Sequence, residues 1–143
     1  MLFAALDRAL AKGLNITGFR SGGGLRALYM DDQDGKTICH AWKPNVEWSL
    51  GVLASLYADV ERDKEPIDAP GGFATGSLGS TGALDDVLCR GGKFKMTPQP
   101  ITTIKLELIY YNERFQQVTL SCYGKSVLEV LLEAQRLLSP VKV

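Results

Sequence analysis

Apolar positions change their period several times along the chain, and each change marks an element. Leu2, Phe3, Leu6, Ala9, Leu10 and Leu14 recur three or four residues apart, the spacing of one helix face, which predicts an amphipathic helix over about 2–13 with Gly13 near its end. Residues 16–20 read as a short strand. Ser21-Gly22-Gly23-Gly24 is a chain reversal, and 25–30 a second strand. Asp34-Gly35 is a turn dipeptide leading into a third strand over 36–42. Lys43-Pro44-Asn45 stops that strand, and Asn45 is suited to cap a helix over 46–60. That helix is apolar around much of its circumference, which implies more than one neighbour.

The same order returns in the second half. A basic strand at 93–96 and a stop at Thr97-Pro98-Gln99-Pro100 precede strands over 101–111 and 115–123, joined by Asn112-Glu113-Arg114. A helix over 126–139 follows, with Val127, Val130, Leu131, Ala134, Leu137 and Leu138 on its buried side and Pro140 at its end. Residues 29–57 align with 110–138 without a gap at an offset of 81 residues, pairing Tyr29/Tyr110, Val46/Val127, Leu50/Leu131 and Leu56/Leu137. Identities this sparse lie near chance for ordinary composition. The coincidence of turn, strand end and helix start carries the pattern instead.

Between the copies, 61–82 begins as a charge cluster and continues rich in Gly, Ser, Ala and Pro, the composition of a long flexible loop. One or two helical turns follow over 83–89. The expected fold is a single α+β domain over 1–143. Its mainly antiparallel sheet is built from two pseudo-repeated hairpin–helix units, 16–60 and 92–139, with helices on one face and an added N-terminal helix.

Alternation sorts the strand residues by face. In the second hairpin Ile104, Leu106, Leu108 and Tyr110, matched by Val118, Leu120 and Cys122, are expected under the helices. Lys105, Glu107, Ile109 and Tyr111, with Thr119, Ser121 and Tyr123, fall opposite. Carrying the offset back adds Arg26, Leu28 and Met30, with Ile38, His40 and Trp42, to this second face. Aromatic rings, a thioether, one histidine and scattered charges together make a surface that needs a partner. The candidate ligand- or partner-binding residues are therefore Arg26, Met30, His40, Trp42, Tyr111 and Tyr123. Register decides this assignment, because a one-residue slip exchanges the faces.

Charge and chemistry narrow the function little. Sixteen basic residues balance sixteen acidic ones, so no global field draws the chain to nucleic acid or to an anionic membrane. Cys39, Cys89 and Cys122 are widely spaced and form no CxxC pair, which argues against a zinc knuckle or a dithiol redox site. His40 is the only histidine, and its neighbour Cys39 should point to the opposite face of the strand, a poor dyad. Asp31-Asp32-Gln33-Asp34-Gly35 resembles part of a calcium loop, but Met30 and Ala41 would occupy its first and last ligand positions. A hairpin turn explains it better. Gly76, Gly79 and Gly82 lack the Lys-Ser/Thr of a phosphate loop. Ser21-Gly22-Gly23-Gly24 flanked by Arg20 and Arg26 is a slightly better anion site. Asp7 and Arg8 interrupt the apolar start too soon for a signal peptide, and no run reaches the ~20 apolar residues of a membrane span. A reducing cytoplasm is the default compartment.

With no converging catalytic constellation, no metal ligand set and no cofactor motif, the reading favours a non-enzymatic binding or assembly protein, homo-oligomeric through the second face. Two other functions fit the residues. Single-stranded nucleic acid could lie on strands carrying Arg20, Arg26, Lys93, Lys95 and Lys105, with Phe94, Trp42, Tyr111 and Tyr123 for stacking. A small-molecule pocket, catalytic or not, could form near His40, Trp42, Tyr111 and Tyr123.

Overall fold

A computed structural model describes residues 3–62, 82–101 and 103–138. It is α+β, with four helices and a six-stranded antiparallel sheet among the described residues. Helix α1 (Ala4–Ala11) leads into strands β1 (Asn15–Arg20), β2 (Arg26–Asp31) and β3 (Thr37–Lys43), then α2 (Val46–Glu61). Helix α3 (Gly82–Cys89) leads into β4 (Lys93–Gln99), β5 (Thr103–Tyr111) and β6 (Gln117–Gly124), then α4 (Val127–Leu138). The spatial order is β3-β2-β1-β4-β5-β6, so β1 and β4 meet at the centre and join the two meanders into one sheet.

Alternation along the strands supplies one face of the core. Ile16, Leu28, Met30, Phe94, Met96, Leu106 and Leu108 are buried beneath Leu6, Leu10, Leu50, Leu53, Leu84, Leu88 and Leu131 of the helices. β1 can lie deep in this layer because Gly18 has no side chain. A Cβ there would come 2.4 Å from Phe94 and 2.5 Å from Leu28. Gly18→Ala is therefore expected to cost about 1–3 kcal/mol by overpacking, read as a lower denaturation midpoint.

One sequence expectation is overturned. The stop at Thr97-Pro98-Gln99 is part of β4, which pairs with β5 through Gln99. Pro98 is tolerated because β4 has by then outrun β1, whose pairing ends at Met96, so no neighbour waits for the missing N–H. The expected loop over 61–82 and the last residue of the final helix lie largely outside the described residues.

The two hairpin turns are built alike. Asp32 Oδ1 accepts from the amides of Asp34 and Lys36, and Asn112 Oδ1 from those of Arg114 and Gln116. The left-handed position is Gly35 in the first turn and Phe115, at φ 59°, in the second. Asp32 therefore corresponds to Asn112, one residue short of the offset of 81. The gap-free alignment fails across the turn, and β3 also carries a bulge opposite Met30 and Asp31.

Helix starts are capped twice. Asn45 accepts from Trp48 at the head of α2, and Ser126 from Glu129 at the head of α4. A second cap comes from the other half of the chain: Asp85 on α3 accepts from the Val46 amide at 2.8 Å, and Asp7 on α1 from the Val127 amide at 2.7 Å. Burial pushes the Asp7 carboxyl above its ordinary value, against the opposing pull of the Val127 amide. A raised folded-state value means that the native protein holds this proton better than the unfolded chain, so Asp7 lowers stability as pH climbs through the carboxylate range. Asp7→Asn keeps the acceptor and removes the buried charge. It is expected to match or exceed the native chain at pH 7, with the gap closing toward pH 3. Asp7→Ala should lose about 1 kcal/mol of capping. Urea titrations at both pH values check the pair.

Candidate partner-binding face of the sheet

Register places the side chains of the uncovered face without ambiguity. Tyr29 pairs with His40 across β2 and β3, and Ala27 with Trp42. On β1, Thr17 lies opposite Tyr29 and Phe19 opposite Ala27. The face continues through Lys93 and Lys95 of β4 to Ile109 and Glu107 of β5, then to Thr119 and Ser121 of β6. Lys105 with Tyr123, and Tyr111 with Gln117, complete it.

The two halves of this face differ in kind. Over β1–β3 four rings form a continuous cluster. Phe19 stacks on Tyr29 with centroids 5.7 Å apart, Tyr29 meets Trp42 edge-on at 6.2 Å, and His40 lies 4.3 Å from Trp42. Phe19 and Trp42 nevertheless remain 39% and 41% exposed. Over β4–β6 the face is polar and basic, with Lys93, Lys95 and Lys105. Glu107 sits 3.4 Å from Lys105 as an ion pair. Tyr111 and Tyr123 stand at its margin, 43% and 56% exposed. Where β1, β4 and β5 adjoin, a hollow of about 330 Å³ is lined by Thr17, Phe19, Lys93, Lys95, Glu107 and Ile109. His40 is not among the residues lining it.

Four of the six candidate residues, His40, Trp42, Tyr111 and Tyr123, lie on this face. Arg26 and Met30 do not. Met30 is fully buried on the helix side, its sulfur 3.8 Å from Cys39. Arg26 is 7% exposed, and its guanidinium donates to the carbonyls of Gly24 and Asp85 and to the Cys89 sulfur, with Asp85 Oδ1 3.6 Å away. The cause is the shortened offset at the turn. It moves Leu28 and Met30 to the covered side and brings up Tyr29, the ring that the sequence reading missed. Pairing the turns through their Asx residues, Asp32 and Asn112, would have found it.

Other candidate chemistry also resolves into structural roles. Arg20 donates to the Cys89 carbonyl at 3.4 Å, so both arginines beside the glycine run are engaged by carbonyl oxygens. Cys39 and His40 point to opposite faces. Burial pushes the Cys39 thiol up to about 12, and burial with the nearby Glu133 charge pushes Cys122 to about 11, so neither supplies a thiolate at neutral pH. Among the described residues no three His, Cys, Asp or Glu side chains converge as metal ligands. No described helix is long and apolar enough to cross a membrane. Compared with known protein families, with characterised proteins and with solved structures, the chain finds no match.

Proposed function

We propose that this chain is a non-enzymatic binding and assembly protein whose working surface is the uncovered face of its sheet, and that it associates with itself there. One observation carries the reading. Among the described residues the helices cover only one side of the sheet, and the aromatic cluster on the other side stays partly exposed. Burial of apolar surface contributes about 25 cal/mol per Å². A packed group of four rings is therefore a standing source of association energy, and aromatic residues dominate the energetics of protein interfaces.

Light scattering and sedimentation over a wide concentration range test this. A dimer or larger species that dissociates on Trp42→Ala, with the variant's thermal unfolding unchanged, is the expected result. A native chain that stays monomeric throughout would defeat the reading.

A second reading rests on Lys93 and Lys95 beside Phe19. Stacking rings next to cations suit a single nucleic-acid strand. Affinity for a labelled oligonucleotide that falls steeply with salt would favour it.

A further inference from the structure

We infer that the occupant of the open face is a second copy of this chain, docked face to face about a two-fold axis that runs along the strands between β1 and β4. The aromatic half of each copy then covers the basic half of the other. This rests on the assembly reading above and adds the symmetry axis and the facing residues.

Size is the first argument. Six strands at about 4.8 Å spacing give a face about 29 Å wide, and strands of six to nine residues make it about 20–30 Å long. Side-chain relief brings the accessible area near the roughly 800 Å² per partner of a standard stable interface. Aligned packing of two sheets is also a common way to cover such a face.

Charge selects the occupant and the axis. A nucleic-acid strand needs an excess of cations, yet this face also carries Asp31 on β2 and Glu107 on β5, and the whole chain is neutral. Mixed signs suit a self-complementary surface. An axis along the strands exchanges β1 with β4, β2 with β5 and β3 with β6, and keeps each cross-strand row at its own height. Phe19 then faces the partner's Lys93, a cation over a ring. Asp31 and Lys105 belong to one row, because Asn15 pairs with Asp31, Thr97 pairs with Lys105, and β1 and β4 adjoin in that register. Asp31 therefore faces the partner's Lys105, twice per dimer. An axis across the strands would instead lay lysine half on lysine half and ring half on ring half, placing like charges together at a cost in affinity.

Charge exchange tests the axis. Lys105→Glu and Asp31→Lys, each checked by thermal unfolding, are each expected to weaken self-association by about tenfold or more. The double variant Asp31→Lys with Lys105→Glu should return to within a few-fold of the native chain, because each pair is restored with its signs reversed. A native dimer that Lys105→Glu strengthens or leaves unchanged, or that the exchange fails to rescue, overturns this geometry and leaves the assembly reading standing. A chain that is monomeric at every concentration overturns both. Monomers that bind a labelled single strand would give the face to nucleic acid instead.

Discussion

Arg26→Ala is expected to be among the most damaging single changes to the fold, costing about 3–5 kcal/mol. The guanidinium is buried where β2, α2 and α3 converge. It faces Asp85 at 3.6 Å, donates to the Asp85 carbonyl at 3.3 Å, and touches Cys89 at the end of α3. Truncation removes the guanidinium from beside a half-buried Asp85 carboxylate, a cost above that of an exposed ion pair. The carboxylate has a second task, because its Oδ1 holds the first amide of α2. Arg26→Met with Asp85→Asn separates the two. It removes both charges, keeps an acceptor for Val46, and should recover most of the loss. A chemical-denaturation cycle over the single and double variants reads the coupling directly. If Arg26→Ala falls within about 1 kcal/mol of the native chain, the clamp is not structural.

Met30→Ala is expected to cost about 2–5 kcal/mol, while Tyr29→Ser one position earlier should cost about 1 kcal/mol or less in the monomer. Met30 is fully buried against Cys39, so shortening it opens a cavity. Tyr29 loses only its ring contacts with Phe19, His40 and Trp42 on a face open to water. Comparable midpoints for the two variants would mean that the register of β2 is wrong. Under the proposed self-association the order reverses in a sedimentation assay, because Tyr29→Ser should weaken the assembly and Met30→Ala should not.

The contrast between these neighbours also marks how far the sequence could be read. Local signals were strong enough to place every strand and helix among the described residues, since period, turn dipeptides and Asn45 agree with the tertiary packing. The α+β class and the antiparallel sheet followed from them. In the second hairpin the faces were read correctly, because Ile104, Leu106 and Leu108 alternate cleanly with polar residues. In the first, β2 runs Arg26-Ala27-Leu28-Tyr29-Met30, apolar or amphipathic at nearly every position. Its face had to be borrowed from the other hairpin, and a one-residue difference at the turn was enough to invert it. His40 and Trp42 nevertheless reach the open face because β3 carries a bulge that restores their phase. Nothing local announced that Arg26 would be buried, since its partner Asp85 is 59 residues away and only the fold brings them together.

The crossed caps have a consequence in time. The Val127 amide that Asp7 accepts from lies 120 residues further along the chain. At about 5–20 residues per second, Asp7 joins the chain roughly 6–24 s before Val127 has been added. During that interval α1 can lean only on its own half of the sheet, with Asp7 open to water. Helix α1 is thus made early but gains its contact with α4 late, and the helical layer over the sheet closes only when α4 arrives.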